Sequence, residues 1–248
     1  MDDQELVDAL PGLLGYARAL SRDEDAAEDL LSETVARALE RRDQFRGDAA
    51  LATWLHRMMH NLAVDRARRT REFPAGDELI AQRVEKRWRD DRYTVDAAVV
   101  ADRAMDAEKV RAALVHVPVG YRSALVLHDM FGLSGSEVAE RLTIGLPAAK
   151  QRIRRGRMML VSKLAEGHEQ LNAELKVPMA CWDARRVVED YLDGELPLGE
   201  RAAVEAHLAR CPTCPPLLAA LVPTRDTIAG LQDADTVLPE ALLRRLRR

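Results

Sequence analysis

Leu133-Ser-Gly-Ser-Glu-Val-Ala-Glu-Arg-Leu-Thr-Ile-Gly-Leu-Pro-Ala-Ala-Lys-Gln-Arg-Ile-Arg-Arg-Gly-Arg157 reads as two helices around a tight turn. Ser134 and Glu137 stand at capping-box spacing, where each side chain satisfies a free amide of the first turn. Val138, Ala139 and Leu142 share one face, Thr143-Ile-Gly145 forms the turn, and Pro147 suits the opening of the next helix, where its missing amide has no partner to lose. That second helix, expected to be short, carries Lys150, Gln151, Arg152, Arg154, Arg155 and Arg157. A basic helix behind a turn of this length is the arrangement that lays a recognition helix in the DNA major groove. A solvated basic face is the alternative, and the charge speaks against it: Thr143 to Ala165 holds six basic residues and no acid, a balance of +6.

Outward from this motif the chain has the composition of an all-α fold. Ala and Leu abound, aromatic residues make up 4% and charged residues 31%, and 248 residues suffice for two or three units. The net charge of −4 conceals strong local imbalance. Arg57 to Arg71 carries five arginines against Asp65, a balance of +4, whereas Arg22 to Glu33 carries six acids against one arginine, a balance of −5. The acidic start of the chain lacks the basic and apolar regions of a signal peptide, and no apolar run approaches the roughly 18 residues of a membrane span, so a cytoplasmic protein without a membrane partner is expected.

Five stretches follow from pattern. Residues 1–72 read as amphipathic helices, the second opened by a capping box at Ser21-Arg-Asp-Glu24 and striped by Leu30, Leu31, Val35, Ala38 and Leu39. Phe45-Arg-Gly-Asp48 breaks the pattern, and Leu51, Trp54, Leu55, Met58, Met59, Leu62 and Ala63 mark a third helix in which the spacing of Trp54 predicts core. Residues 73–106, opening with Phe73-Pro74-Ala75-Gly76, mix both charge signs over a weak apolar stripe and read as a linker with room for some helix. Residues 107–166 hold the two-helix motif, 177–221 a small third unit, and 222–248 a tail ending in a basic amphipathic stretch.

The third unit has a chemistry of its own. Three cysteines in a reducing compartment argue against disulfides, and Cys181, His207, Cys211 and Cys214 together supply the four soft or borderline ligands of a closed tetrahedral zinc site. His207 and Cys211 lie four apart on one face of the helix that follows Pro197, and Cys211-Pro-Thr-Cys214 turns a second thiolate to the same point. A helical unit of about forty residues is short of core, so a metal staple is physically needed.

The motif at 133–157, with its lead-in Val115-His-Val-Pro118, Tyr121-Arg122 and Ala124-Leu-Val-Leu127, resembles domain 4 of extracytoplasmic-function sigma factors. The acidic helix from Asp25, the Phe45 loop and Ala52 to Arg66 are similar to domain 2 of the same group. The resemblance implies that Asp25, Glu28, Asp29 and Glu33 dock on the β′ clamp helices of core RNA polymerase, and that Phe45, Asn61, Asp65 and Arg66 melt and read the −10 element. It likewise implies that Lys150, Gln151, Arg152, Arg154 and Arg155 take the −35 promoter element while domain 4 meets the polymerase β flap. Gly145, Pro147, Ala148 and Ala149 depart from the family pattern at the entry to the recognition helix, so that element's sequence is not predicted. Cys181 to Leu218, with Tyr191-Leu-Asp-Gly-Glu195 and Glu205-Ala-His-Leu208, resembles the zinc-binding anti-sigma domain, normally a separate protein. Fusion implies a contact between this domain and the sigma domains that regulates them in cis, either by restraint or as a positive element.

Two further readings compete. A polymerase-independent helix-turn-helix regulator has no need of the acidic helix or of the Phe45-to-Arg66 block. An enzyme requires a nucleophile-base pair, a phosphate-cradling glycine loop or an open metal position, and none is legible.

Overall fold

The computed structural model describes residues 3–47, 50–70, 72, 76–171 and 179–232. Asp48, Phe73-Pro74-Ala75, Val177-Pro178 and the basic stretch at the end of the tail, for which expectations were stated, lie outside these residues.

The chain opens with helices α1 (Asp3–Leu20), α2 (Glu24–Glu40) and α3 (Leu51–Thr70). They converge on Leu13, Leu14, Tyr16, Leu30, Leu31, Leu55 and Met59, all fully buried. The cap of α2 differs from expectation: Asp23 accepts from the Ala26 amide at 2.8 Å, while Glu24 is drawn to Arg18 at 2.6 Å. A carboxylate with an arginine in reach makes the stronger, charge-assisted bond, which leaves the Ser21 pairing unmade. Leu39, placed on the apolar stripe, is exposed. Trp54 is half-buried and packs at a tilt against Phe45, ring centroids 5.5 Å apart and planes at 46°.

The described part of the expected linker, residues 76–106, is built into the core. It forms α4 (Asp77–Arg89), the short strand β1 (Tyr93–Val95) and α5 (Ala97–Ala104). Ala81, Val84 and Trp88 make a narrow stripe at helical spacing, sufficient because Trp88 alone covers a large area. Its indole N–H donates to Ser162 Oγ at 3.0 Å.

Helices α6 (Ala107–Leu114), α7 (Val119–Asp129), α8 (Gly135–Leu142) and α9 (Leu146–Leu164) follow, then strand β2 (Glu169–Leu171), which pairs antiparallel with β1, Tyr93 opposite Leu171. The fold is thus helical with one small ribbon. The Ser134–Glu137 capping box closes α8 in both directions. The turn places its left-handed residue at Thr143 (φ 56°), whereas Gly145 takes an ordinary φ of −71° as the cap of α9. The second helix of the motif runs to 19 residues, because Met158, Leu160, Val161 and Leu164 carry its buried face beyond the basic turns. Gly156 admits α7 closely: a Cβ there would sit 3.1 Å from the Tyr121 carbonyl oxygen.

The last unit comprises α10 (Cys181–Arg185), α11 (Val188–Leu192), α12 (Leu198–Leu208) and α13 (Cys214–Gly230). Helix α13 continues past Leu221, with Ile228 fully buried and the Thr227 hydroxyl bonded to the Ala104 carbonyl.

Helix α3 also packs across α7 and α8, joining the first unit to the third block. Arg57 donates to the carbonyls of Glu140 (2.8 Å) and Arg141 (3.4 Å), Arg141 donates to His56 Nδ1 at 2.6 Å, and His60 Nδ1 meets Ser123 Oγ at 2.8 Å. Burial, helped by Arg141, pushes His56 down to about 3; burial, helped by Arg152, pushes His60 down to about 4. Both are therefore neutral in the closed arrangement. A separated state with ordinary histidines takes up protons once pH falls below about 6.5, and the closed state does not, so acid favours opening. At about pH 5 the closure should lose about 2 kcal/mol for each histidine relative to neutral pH. Small-angle scattering across that range should show expansion in the native chain and a much weaker response in His56→Gln with His60→Gln; equal responses would remove these histidines from the interface energetics.

Candidate DNA-reading face and metal centre

The metal centre is assembled by three short segments. Cys181 opens α10, His207 closes α12, and Cys211 and Cys214 flank the turn into α13. Their donor atoms all lie within 4.8 Å of one another, and all four residues are buried. Cys181 Sγ is 3.5 Å from Cys211 Sγ, and His207 Nε2 is 3.3 Å from Cys214 Sγ. Tetrahedral ligation with bonds of about 2.3 Å to sulfur requires ligand separations of about 3.8 Å, so the cluster needs only small adjustments. Burial, then the neighbouring sulfurs, drive Cys181 well above the ordinary thiol range. Burial also raises Cys214, against the pull of Arg185. Cys211 is lowered, because bonds from Thr213 and the Cys214 amide overcome burial. Three sulfurs crowded away from water are poor company for one another as thiolates unless a cation sits among them, and this donor set fits one.

Against this module lies the basic face of α9, and almost every cation on it is engaged. Lys150 Nζ reaches Asp190 at 2.6 Å and Glu195 at 2.8 Å. Arg154 donates to the Arg186 carbonyl at 3.2 Å and lies over the Trp182 ring, which Arg89 also faces at 4.7 Å. Arg155 is gripped by α4: Nε meets Glu85 at 2.6 Å and Nη1 meets Glu78 at 2.9 Å. Arg157, with no exposed side chain, pairs with Asp129 of α7 and Glu189 of α11. Gln151 is exposed, and Arg152 lines a polar cleft whose opposite wall is α3, with Asn61, Asp65 and Arg68.

Comparison with known proteins assigns the blocks. Residues 6–73 match the family model Sigma-70 region 2, residues 107–160 match Sigma-70, region 4, and residues 181–214 match a putative zinc-finger. The ECF RNA polymerase sigma factor SigM of Mycobacterium tuberculosis is 32% identical over 151 residues, covering 60% of this chain and 69% of SigM. The ECF RNA polymerase sigma factor EcfG of Rhodopseudomonas palustris is 30% identical over 161 residues, covering 64% of this chain and 83% of EcfG. This chain belongs to the extracytoplasmic-function (ECF) sigma factors. A solved structure, the sigma factor RpoE in complex with the anti-sigma factor NepR from Bartonella quintana, is a looser likeness: TM-score 0.47 and 22% identity, over 66% of this chain and 95% of that one.

In this ECF sigma factor the residues expected to read melted DNA do not form one free surface. Asn61 and Asp65 are exposed but face the cleft toward Arg152. Phe45 packs on Trp54, and Arg66 bonds Glu33 at 2.7 Å and the Asp29 carbonyl at 3.2 Å, joining an expected DNA contact to an expected polymerase contact. Asp25 and Asp29 are exposed on α2, with Glu28 and Glu33 half-buried beside them. Sequence reasoning missed the partners of the basic helix: Glu78, Glu85, Glu189, Asp190 and Glu195, with Trp182 between the arginines. The mixed charges of 77–92 held a signal, since Glu78 and Glu85 lie seven apart and share a helix face. No helix among the described residues is long and apolar enough to cross a membrane.

One contact between the metal module and α7 is titratable. His128 Nδ1 meets Asp129 and Nε2 meets Asp193, each at 3.0 Å. Burial opposes its charge, but the two carboxylates prevail and hold it at about 9, with Arg157 pulling the other way. A histidine raised in the folded state contributes stability fully present below about 6.5 and lost as pH rises through about 9. Denaturation of the native chain should therefore show up to about 3 kcal/mol of stability disappearing across that window, and His128→Gln should not. Identical pH profiles would show that the docked module does not depend on this pair.

Proposed function

We propose that the chain directs RNA polymerase to promoters and that its C-terminal module, holding zinc through Cys181, His207, Cys211 and Cys214, restrains it in cis. The assignment to ECF sigma factors supports the first part: domain 2 meets the polymerase through Asp25, Glu28, Asp29 and Glu33, and domain 4 reads duplex DNA through α9. One observation carries the second part. Lys150, Arg154 and Arg155 all have intramolecular partners, and four of these, Asp190, Glu195, the Arg186 carbonyl and the Trp182 ring, belong to the zinc module.

The physical logic is competition between anions. Phosphates and base edges bind Lys and Arg side chains only when those side chains are free to turn toward them. Asp190, Glu195 and the Trp182 ring meet the same groups from within the chain, at the high effective concentration of a tethered ligand. The cleft between Asn61 and Arg152 adds a second restraint, because it turns the two DNA-reading surfaces toward each other. A zinc ion held by four protein donors supplies cross-linking and charge rather than a reactive position. The chain's own residues do the rest, positioning carboxylates over a helix that otherwise presents cations.

Transcription by core polymerase from a promoter library tests both parts. Truncation after residue 176 removes Asp190, Glu195 and Trp182, and promoter-specific transcription should rise by about 5- to 150-fold, the usual range of a coupling between sites. Cys211→Ser with Cys214→Ser should move in the same direction. A chain that fails to co-elute with core polymerase contradicts the sigma reading, and truncation without effect contradicts restraint.

A further inference from the structure

Between the zinc module and the DNA-reading helix lies the 77–95 segment, and one side chain of the module is anchored in it. Arg185 is 3% exposed. Its Nε donates to Cys214 Sγ at 3.3 Å, Nη1 to the carbonyls of Trp88 (2.6 Å) and Asp90 (2.9 Å), and Nη2 to the Tyr93 carbonyl (2.9 Å) and Thr213 Oγ1 (3.0 Å). Thr213 adds to the grip: its hydroxyl donates to the Asp91 carbonyl at 2.9 Å, and its carbonyl accepts from Thr94 Oγ1 at 3.0 Å. These are carbonyls at the C-terminal end of α4 and just beyond it, where a helix has no partners of its own to offer. The bonds of Arg185 therefore fix where α4 ends and how it is aimed.

What α4 is aimed at is the basic face. Its Glu78 and Glu85 hold Arg155, Glu85 lies 3.7 Å from Arg154, and Trp88 is pinned to Ser162 on the same helix, α9. The acids of the zinc module touch Lys150 and Arg157, but Arg155 is held by α4. Charge links the two ends. None of the bonds from Arg185 goes to a carboxylate. A divalent cation with three thiolates and a neutral imidazole sums to −1, and the guanidinium against Cys214 balances it. Withdrawal of the metal undoes that balance and frees the four ligands from one another, so that Cys214 and Thr213 no longer hold the guanidinium against the end of α4.

We propose that α4 is a shutter over the DNA-reading helix and that Arg185 is the positioning residue that ties the shutter to the metal centre, so that loss of the metal uncovers Arg154 and Arg155. The proposal rests on the restraint described above and names its moving part. The zinc module is then the latch, and the inter-domain segment is the cover.

Hydrogen exchange of the zinc-loaded full chain, resolved by segment, together with binding to a mixed-sequence DNA duplex, tests it. Chelation should speed exchange across 77–89 by about tenfold or more. It should tighten duplex binding by about tenfold, the size of a recovered arginine contact. Arg185→Gln should reproduce both effects, and Arg185→Lys, which keeps the charge but reaches fewer carbonyls, should recover part of the native behaviour. Glu78→Gln with Glu85→Gln, remote from the metal, should tighten duplex binding with zinc retained and blunt the response to chelation. If that glutamate pair leaves duplex binding unchanged, the shutter is overturned, whatever the stability of the Arg185 variants. Tighter binding on chelation with exchange at 77–89 unaltered also overturns it, while leaving restraint by the zinc module intact. If neither chelation nor removal of 177–248 alters duplex binding, restraint itself has failed.

Discussion

A guanidinium shut away from water has to be answered with negative charge, and Arg157 is such a group. Its side chain is fully enclosed, and its counter-charges come from two places: Asp129 on the neighbouring helix of domain 4, and Glu189 on the zinc module. Removing one partner of a buried pair leaves an uncompensated charge, which costs more than the pair contributes. The zinc module thus has a specific seat. Once Glu189 is on Arg157, the neighbouring turn of α11 sets Asp190 against Lys150, and Trp182 on α10 falls between Arg89 and Arg154. Much of the closed arrangement follows from where that one cation sits in the recognition helix.

Helix α9 serves as the hub because its sides have different duties. Ile153, Met158, Leu160 and Val161 bind it to the rest of domain 4, and Gly156 lets α7 approach to near contact. The remaining circumference is cationic, and it is met by α4 from one direction and by α10 and α11 from another. The net charge of −4 is consistent with this arrangement, since acids that offset the basic helix lie against it.

Fold class, the two-helix motif and the clustering of three cysteines with His207 were legible in the sequence for a common reason. Each depends on spacing within a short stretch: the Ser134–Glu137 cap, Pro147 at the next helix start, and His207, Cys211 and Cys214 within one helix and one turn. What was illegible depends on partners distant in sequence. The weak stripe of 77–89 reads as a linker because Ala81, Val84 and Trp88 are few, and only the tertiary position of Trp88 against Ser162 makes them a core. Arg185 gave no local signal, since its importance lies in carbonyls some ninety residues away. The Ser21 cap failed because Glu24 has a better partner in Arg18, and local rules cannot weigh a competitor from the preceding helix. The turn carries the same lesson. The only glycine within it, Gly145, sits where any residue fits, and the left-handed position falls to Thr143.

A cover made of charge has a particular energetic character. Ion pairs at partly exposed sites, such as Lys150 with Glu195, contribute little, because water solvates both partners almost as well when they part. The buried pairs gain more in attraction but lose hydration on closing, so their net effect is on orientation more than on strength. Such a contact is specific without being tight, and phosphates would offer the same cations a comparable environment. An apolar cover of equal area would be stronger, and it would also be far harder to displace. Under the restraint proposed above, acids over arginines give the narrower energy gap, and the Cys/His cluster at the far end of Arg185 is the place where that gap would be tipped.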